Sequence, residues 1–246
     1  MTDELPTDTA LTDTALTDTA ATDAQPIKTS LPKTAASWLQ QAKFLTSSPT
    51  FKGCPPDMGL EVAFAGRSNA GKSSAINKIT QQRQLARASK TPGRTQMINY
   101  FTMGREDQRL VDLPGYGYAQ VPEKMKLIWQ KELEKYLVAR QSLVALVLVM
   151  DARRPLTEFD QQMLQWANQA ELQTHVILTK CDKFKRDPAR KLLRETEQRM
   201  QALGLKCSVQ LFSSLNGDGV SDLQHKLTEF LEQPLQSAEP DGAQAS

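Results

Sequence analysis

Residues 66–73 read Gly-Arg-Ser-Asn-Ala-Gly-Lys-Ser and match the pattern G-x-x-x-x-G-K-[ST]. They follow a strand-like run, Glu61–Ala65, and open a helix-like run, Gly71–Gln81. Glycines let the backbone curl so that its N–H groups point at phosphate oxygens, and the helix N-terminus adds a favourable dipole. In such a loop Lys72 reaches the β- and γ-phosphates, and the Ser73 hydroxyl can ligate Mg²⁺. The alternative is a glycine-rich turn that only caps a helix, and the strand–loop–helix context argues against it.

Around this loop, strand-like runs alternate with helix-like runs, which is typical of βαβ units and a parallel sheet covered by helices. The predicted strands are Glu61–Ala65, Met97–Met103, Gln108–Asp112, Leu143–Met150, His175–Leu178 and Ser208–Phe212. The predicted helices are Gly71–Gln81, Pro122–Ala139, Thr157–Ala170, Pro188–Leu203 and Val220–Glu232. The run at 143–150 lacks polar alternation, as expected for a central strand buried on both faces. The sequence therefore predicts an α/β P-loop NTPase fold with a mainly parallel six-stranded sheet flanked by helices.

The chain ends have a different character. Residues 6–25 repeat a five-residue unit of Thr, Asp and Ala that buries almost nothing and carries charge of one sign, so we expect disorder. A helical segment is predicted near Ala35–Phe44, before a proline-punctuated linker that leads to the first strand. The predicted organisation is a disordered acidic tail (1–30), an N-terminal extension or linker (31–58), one globular domain (59–233) and a flexible C-terminal tail (234–246).

The charge of the chain is unevenly distributed. The formal net charge of the 246 residues is +2, but the first 25 residues contain six acidic side chains and no Lys or Arg. The remainder has 30 basic against 22 acidic residues, a net charge of +8. This excess favours a polyanionic partner such as RNA, although a charge count does not separate a binding face from ordinary solvated side chains.

Cysteine content and hydropathy point to the cytoplasm. The three cysteines, Cys54, Cys181 and Cys207, are odd in number and show no CxxC spacing, so neither a disulfide framework nor a zinc site is indicated. The longest apolar stretch, Ser142–Met150, is far shorter than a membrane span, and the N-terminus does not resemble a signal peptide. We therefore expect a soluble cytoplasmic protein that does not bind membranes.

Two further motifs follow the phosphate loop. Asp112-Leu113-Pro114-Gly115 ends a predicted strand, where an Asp can hold the magnesium shell through water and the Gly115 N–H can meet the γ-phosphate. Taken alone, the motif is a common Pro-Gly turn after a strand. The phosphate loop upstream is what favours a role in binding the nucleotide. The second motif is the polar loop 91–96, which lies between the phosphate loop and Asp112. In this loop Thr95 can offer oxygen atoms to Mg²⁺ and γ-phosphate. Taken alone, Thr95 would be an ordinary solvated threonine.

The choice of base is indicated by Thr179-Lys180-Cys181-Asp182, which follows a predicted strand and fits [NT]-K-x-D. A carboxylate at Asp182 can accept two hydrogen bonds from guanine, which adenine cannot supply, so the wrong base leaves it unsatisfied. The stem of Lys180 would lie over the purine ring, and the residues 212–214 are placed to contact guanine O6 through backbone N–H groups. A surface Lys-Asp pair after a strand is the alternative. An ATPase is disfavoured by Asp182.

The motifs GRSNAGKSS, TPGRTQ, DLPGYGYA, TKCDK and FSSLNGDG together resemble those of the bacterial EngB family of GTPases, also called YihA or YsxC, over about Leu31–Gln233. The resemblance implies a G domain (59–233) that binds GTP and GDP with Mg²⁺ and acts in assembly of the large ribosomal subunit, in cell division and in septation. It implies a pre-50S particle or rRNA as partner and no DNA; we expect a monomer. Ala70, where the family often has Val, is one departure.

The resemblance also implies the site residues. Those that would contact the nucleotide are Gly66, Arg67, Ser68, Asn69, Ala70, Gly71, Lys72, Ser73, Gly93, Arg94, Thr95, Gln96, Met97, Asp112, Leu113, Pro114, Gly115, Thr179, Lys180, Cys181, Asp182, Phe212, Ser213 and Ser214. The metal ligands would be Ser73 and Thr95. The residues expected to act on the transferring phosphate are Lys72, Thr95 and Gly115.

The predicted hydrolysis is slow. Ras-like enzymes orient the attacking water with a Gln one position after the DxxG glycine, and that position here is Tyr116. Either another group supplies this function or a partner stimulates turnover. Asn69 offers one route, since an Asn at this position of related GTPases helps to bind K⁺, which makes K⁺ a candidate additional cofactor. The leading interpretation is an enzyme acting as an assembly switch; the alternative is a nucleotide-gated RNA- or ribosome-binding module in which hydrolysis is incidental.

Overall fold

The structure, a computed structural model, describes residues 37–86, 97–105, 107–117 and 123–232, without the side chains of residues 123–126. The strands are β1 (Lys43–Ser48), β2 (Leu60–Gly66), β3 (Ile98–Thr102), β4 (Gln108–Asp112), β5 (Leu143–Asp151), β6 (Gln173–Thr179) and β7 (Cys207–Leu211). The helices are α1 (Ser37–Gln40), α2 (Lys72–Ile79), α3 (Glu123–Ala139), α4 (Glu158–Gln169), α5 (Arg186–Ala202) and α6 (Val220–Leu231). Two 3-10 turns lie at Phe51–Gly53 and Cys181–Lys183.

Within the described residues the strands form one seven-stranded sheet in the order β1-β3-β4-β2-β5-β6-β7. The pairs β4–β2, β2–β5, β5–β6 and β6–β7 are parallel, while β3 is antiparallel to both β4 and β1. The predicted P-loop fold with a mainly parallel sheet is thus confirmed. The six predicted strands and five predicted helices are all present, with ends that differ by at most two residues.

The sheet separates two apolar cores. Alternate residues of β5 enter opposite cores, so that Leu146 and Leu148 pack on one face while Val147 and Val149 pack on the other. Helices α3, α4 and α5 contribute to the first core, and α2 and α6 to the second. This confirms the prediction that β5 is a central strand buried on both faces.

The helical segment predicted near Ala35–Phe44 is wrong in part, because the described helix α1 ends at Gln40 and strand β1 begins at Lys43. β1 is the strand missing from the six-stranded prediction. It is an edge strand with a bulge between Phe44 and Thr46, so its apolar side chains do not alternate regularly, and Phe44 is 58% exposed. Backbone pairing with β3, rather than burial of one face, fixes it in the sheet.

The segment that precedes β2 is fastened by a buried ion cluster. The wholly buried Glu61 carboxylate accepts hydrogen bonds from the Arg140 guanidinium at 2.7 and 2.9 Å, and Arg109 lies 3.2 Å away. Both arginines also donate to backbone carbonyls of Pro56, and Arg140 donates to Pro55. These bonds satisfy the buried charges while fixing the prolines of the predicted linker against the sheet.

Among the described residues, the structure contains no helix that is both long and apolar enough to cross a membrane.

Candidate nucleotide-binding site

The carboxyl ends of the parallel strands meet at one edge of the sheet, where ligands of such sheets bind. β2 ends at Gly66, β4 at Asp112, β5 at Asp151 and β6 at Thr179, and Phe212 follows β7. Strand β3 runs the other way and pairs Asn99 with Asp112, so its beginning lies at the same edge. The order of the strands, rather than their spacing along the chain, therefore assembles the site.

The phosphate loop is shaped by steric limits on its glycines. A Cβ at Gly66 would lie 2.5 Å from the Val149 carbonyl oxygen of β5, so no larger residue fits without moving the strand. Gly71 has φ 102°, a backbone conformation that favours glycine, and it leads directly into α2. The Thr179 hydroxyl lies within hydrogen-bond distance of the Ala70 and Met150 carbonyl oxygens, which ties the loop to the end of β6.

Lys72 and Asp112 form an ion pair at the mouth of the loop. The Lys72 ammonium donates to the Asp112 carboxylate, and their side chains are only 10% and 5% exposed. A phosphate group with its larger negative charge would compete with Asp112 for this ammonium, which matches the role predicted for Lys72.

The donor set fits Mg²⁺. The carboxylate of Asp112 and the half-buried hydroxyl of Ser73 are oxygen donors, the type that Mg²⁺ prefers. Within the described ranges no group of three or more His, Cys, Asp or Glu side chains could hold a metal ion by itself. Mg²⁺ commonly takes one or two protein ligands together with substrate phosphates and water, so a site with few protein ligands is expected. Thr95, the other predicted ligand, lies outside the described residues.

The segment Leu113–Gly117 is docked on the phosphate loop by backbone contacts. The Ser68 N–H donates to the Tyr116 carbonyl at 2.7 Å, and the Tyr116 N–H donates to the Gly66 carbonyl at 3.3 Å. A Cβ at Gly115 would lie 3.2 Å from the Ser68 Cα, so a side chain there would crowd the phosphate loop. Gly115 is thus held against the loop that is predicted to carry the phosphates.

The side chain of Tyr116 points into the core. Its hydroxyl donates to the Asp160 carboxylate of α4 at 2.5 Å, and its ring packs on Phe159 with centroids 4.4 Å apart. The pKa of Tyr116 is well above its usual value because the residue is buried and faces a carboxylate. The other Asp160 oxygen accepts from the N–H and hydroxyl of Thr157 at the start of α4. A buried, fully bonded phenol is not in a position to orient a water molecule at a phosphate.

The predicted base pocket is organised around Asp182. The Ser213 hydroxyl donates to the Asp182 carboxylate at 2.7 Å and accepts the backbone N–H groups of Leu215 and Asn216 at 3.2 and 3.4 Å. Because of the Ser213 bond above all, the pKa of Asp182 is lower than usual. The carboxylate is therefore ionised at neutral pH and keeps further lone pairs to accept hydrogen bonds from a ligand.

Lys180 links this pocket to the phosphate loop. It has a left-handed backbone conformation with φ 61°, and its ammonium donates to the Asn69 carbonyl at 2.6 Å and to the Asp151 carboxylate at 2.8 Å. Asp151 was not identified from the sequence, since it belongs to no motif. Its one signal is its place as a polar residue at the end of an otherwise apolar strand.

The structure brings most of the predicted site residues to this edge. They are the loop 66–73, the residues 112–115, 179–182 and 212–214, and Met97 just before β3. Gly93, Arg94, Thr95 and Gln96 lie outside the described residues, so the contacts expected of the polar loop 91–96 stay a prediction. Asp151 and Asp160 are the residues of the site that sequence reasoning missed.

Comparison with known proteins agrees with this geometry. Residues 61–180 match the family model described as 50S ribosome-binding GTPase. The probable GTP-binding protein EngB of Acinetobacter baylyi is 61% identical over 177 residues, which are 72% of this chain and 75% of that protein. EngB of Tolumonas auensis is 52% identical over 191 residues, which are 78% and 90% of the two chains.

A solved structure has the same fold. The crystal structure of a probable GTP-binding protein engB superposes with a TM-score of 0.55 and 22% identity, and covers 70% of this chain and 98% of that one. An identity of 22% shows only that the two proteins share a fold. The identities of 52 and 61%, over most of the relatives' length, show that the chain belongs to the same family as those relatives. The chain is therefore a member of the EngB family of P-loop GTPases and binds GTP.

Proposed function

We propose that this protein is a slow GTPase switch in assembly of the large ribosomal subunit, required for normal cell division and septation, and that it acts in the cytoplasm. The observation that carries the proposal is the convergence of Lys72, Asp112, Gly115 and Asp182 at one sheet edge. The family model described as 50S ribosome-binding GTPase supports the ribosomal partner. Ser73, Thr95 and, through water, Asp112 would hold Mg²⁺, which would offset phosphate charge.

The alternative is a nucleotide-gated RNA- or ribosome-binding module in which hydrolysis is incidental. The buried Tyr116 side chain favours it, because this residue replaces the water-positioning Gln. The two functions differ in what releases the ribosomal particle. A switch needs hydrolysis and is stimulated by the particle, whereas a gated module releases the particle equally well with a nonhydrolysable analogue.

The base pocket is tested by Asp182→Asn. The wild type is expected to prefer GDP over ADP and xanthosine diphosphate (XDP). The variant is expected to prefer XDP, because its amide N–H can donate to the xanthine carbonyl, whereas its single oxygen cannot accept both hydrogen bonds that guanine donates. Titration with fluorescent nucleotides measures both preferences. Asp222→Asn, the same change at an exposed position of α6, is the control and should keep the preference for GDP. Equal binding of ADP by the wild type would contradict the proposed pocket.

Hydrolysis is expected to depend on K⁺ through Asn69. The Asn69 side chain is exposed at the phosphate loop, whereas its backbone carbonyl already accepts a hydrogen bond from the Lys180 ammonium. The rate in KCl should exceed that in NaCl by about tenfold or more, since an arginine-like charge at the phosphates is worth about 10³- to 10⁵-fold. Asn69→Gly should abolish the difference and suits the positive φ of 63°. Equal rates of the wild type in the two salts would exclude this role of K⁺.

Tyr116→Phe separates the structural from the catalytic interpretation of this side chain. We expect an unchanged GTP hydrolysis rate and a free energy of unfolding lower by about 1–3 kcal/mol, because the buried Asp160 oxygen loses its donor. Single-turnover hydrolysis and urea denaturation measure the two quantities. Asp160→Asn, which keeps an oxygen acceptor for the phenol, should also leave the rate unchanged. A rate fall of about a hundredfold, typical of a lost proton-transfer or positioning group, would contradict this.

The surface best suited to RNA is the basic face, which we define as Lys183, Lys185, Arg186, Arg190 and Arg194. All five side chains are exposed. The three arginines repeat every four residues and so follow one side of α5 about 6 Å apart. Among the described residues, only Lys183 of the five has a carboxylate partner, Asp182 at 3.5 Å. Unpaired guanidinium groups in a row suit a line of phosphates, which they can bind bidentately.

Replacing Arg190 and Arg194 by Ala should weaken binding to pre-50S particles and lower the slope of log affinity against log salt by about 2, since each phosphate contact contributes about 0.9. GDP affinity should not change. Lys43→Ala with Lys52→Ala is the matched control, because these exposed residues lie on or near β1, at the opposite edge of the sheet. Filter binding over a salt series gives the slope, and an equal loss in both double variants would contradict a specific basic face.

A further inference from the structure

The carboxylate of Asp151 lies at the end of β5 and is bonded on two sides. Its Oδ2 accepts from the Lys180 ammonium at 2.8 Å and from Arg153 Nη2 at 2.5 Å, and its Oδ1 accepts from Arg153 Nε at 2.9 Å. The Arg153 N–H also donates to Oδ1, at 3.0 Å. The Asp151 side chain is 20% exposed. The arginine fork thus fixes the orientation of the carboxylate, with Oδ2 turned to Lys180.

The other end of this arrangement is the phosphate loop. The Lys180 ammonium reaches Asp151 on β5 and the Asn69 carbonyl, 2.6 Å away, at the same time. Its four-carbon stem must therefore run from the base loop after β6 toward the loop after β2. Both anchors are groups of the protein itself, so the stem has a fixed course that does not depend on a ligand.

We propose that Asp151 is a positioning residue for the guanine base, which it serves by holding Lys180 as a ready-made platform for the purine ring. Lysine is among the side chains that lose most rotamer freedom when fixed, and ordering one on binding lowers affinity. The ion pair with Asp151 shifts that cost from binding to folding. The inference rests on the proposed base pocket, since it concerns how Lys180 meets the base.

The ionised state of Asp151 supports this role. The hydrogen bonds from Arg153, followed by those from Lys180, hold the pKa of Asp151 well below its usual range. The carboxylate is therefore charged at any pH near neutrality. A neutral amide at this position would keep an oxygen acceptor but lose the attraction to the ammonium, so charge and geometry can be tested separately.

The experiment compares two ligands of the full-length protein by isothermal titration. GDP contacts both the base pocket and the phosphate loop, whereas inorganic tripolyphosphate can contact only the latter. Asp151→Ala should raise the Kd for GDP about threefold to tenfold, the range that ordering one long side chain accounts for. The Kd for tripolyphosphate should not change. Asp151→Asn should fall between the wild type and Asp151→Ala.

A double-mutant cycle with Lys180→Ala makes the test specific. Lys180→Ala should lose more affinity for GDP than Asp151→Ala, because it removes the platform itself, and the double variant should lose no more than Lys180→Ala, because Asp151 acts only through Lys180. Arg154→Ala, at an exposed neighbouring position, is the control and should leave GDP binding unchanged. Additive losses in the cycle, or an equal loss for tripolyphosphate, would overturn the positioning role. A wild type that binds GDP no better than ADP would instead contradict the base pocket itself.

Discussion

The parallel pairing of β2 with β4 on one side and β5 on the other is the constraint on which the site depends. Leu60 pairs with Gln108 and Phe64 with Asp112 on one side, while Glu61 pairs with Leu143 and Gly66 with Val149 on the other. Because the registers are fixed, the phosphate loop and Asp112 must emerge side by side, and Gly66 must pass the Val149 carbonyl with no room for a side chain. The alternating packing of β5 into two cores excludes polar groups from the middle of the sheet, so the polar chemistry is confined to the strand ends.

Charges at this edge are already paired within the protein. Lys72 holds Asp112, Lys180 holds Asp151, and Ser213 donates to Asp182. A charge that is largely removed from solvent and has no partner would raise the free energy of the folded chain, and each of these contacts lowers that cost. Binding of a nucleotide as proposed is then an exchange of partners. If phosphate takes the ammonium of Lys72, the carboxylate of Asp112 would be free to hold water ligands of Mg²⁺.

Local and periodic features could be predicted from the sequence. The phosphate loop, the apolar run of β5 and the helix-like runs each carry their signal within a few neighbouring residues. What could not be predicted are contacts between distant residues with no shared spacing, such as Tyr116 with Asp160 and Lys180 with Asp151, which are 44 and 29 positions apart. Strand β1 was missing from the prediction for a different reason. An edge strand with a bulge is held by backbone pairing, which leaves no apolar alternation in the sequence.

The contacts of Tyr116 join the segment Leu113–Gly117 to helix α4. Its backbone is paired with Gly66 and Ser68, while its phenol is bonded to Asp160, the residue that also caps the start of α4 through Thr157. If binding of γ-phosphate displaces Gly115 from the phosphate loop, its neighbour Tyr116 must either follow or break its buried hydrogen bond to Asp160. Since a broken bond would leave a buried carboxylate oxygen unpaired, the less costly course is for the N-terminus of α4 to move with Tyr116. The state of the phosphate site would then be transmitted to the surface of the domain by one tyrosine that replaces a catalytic glutamine.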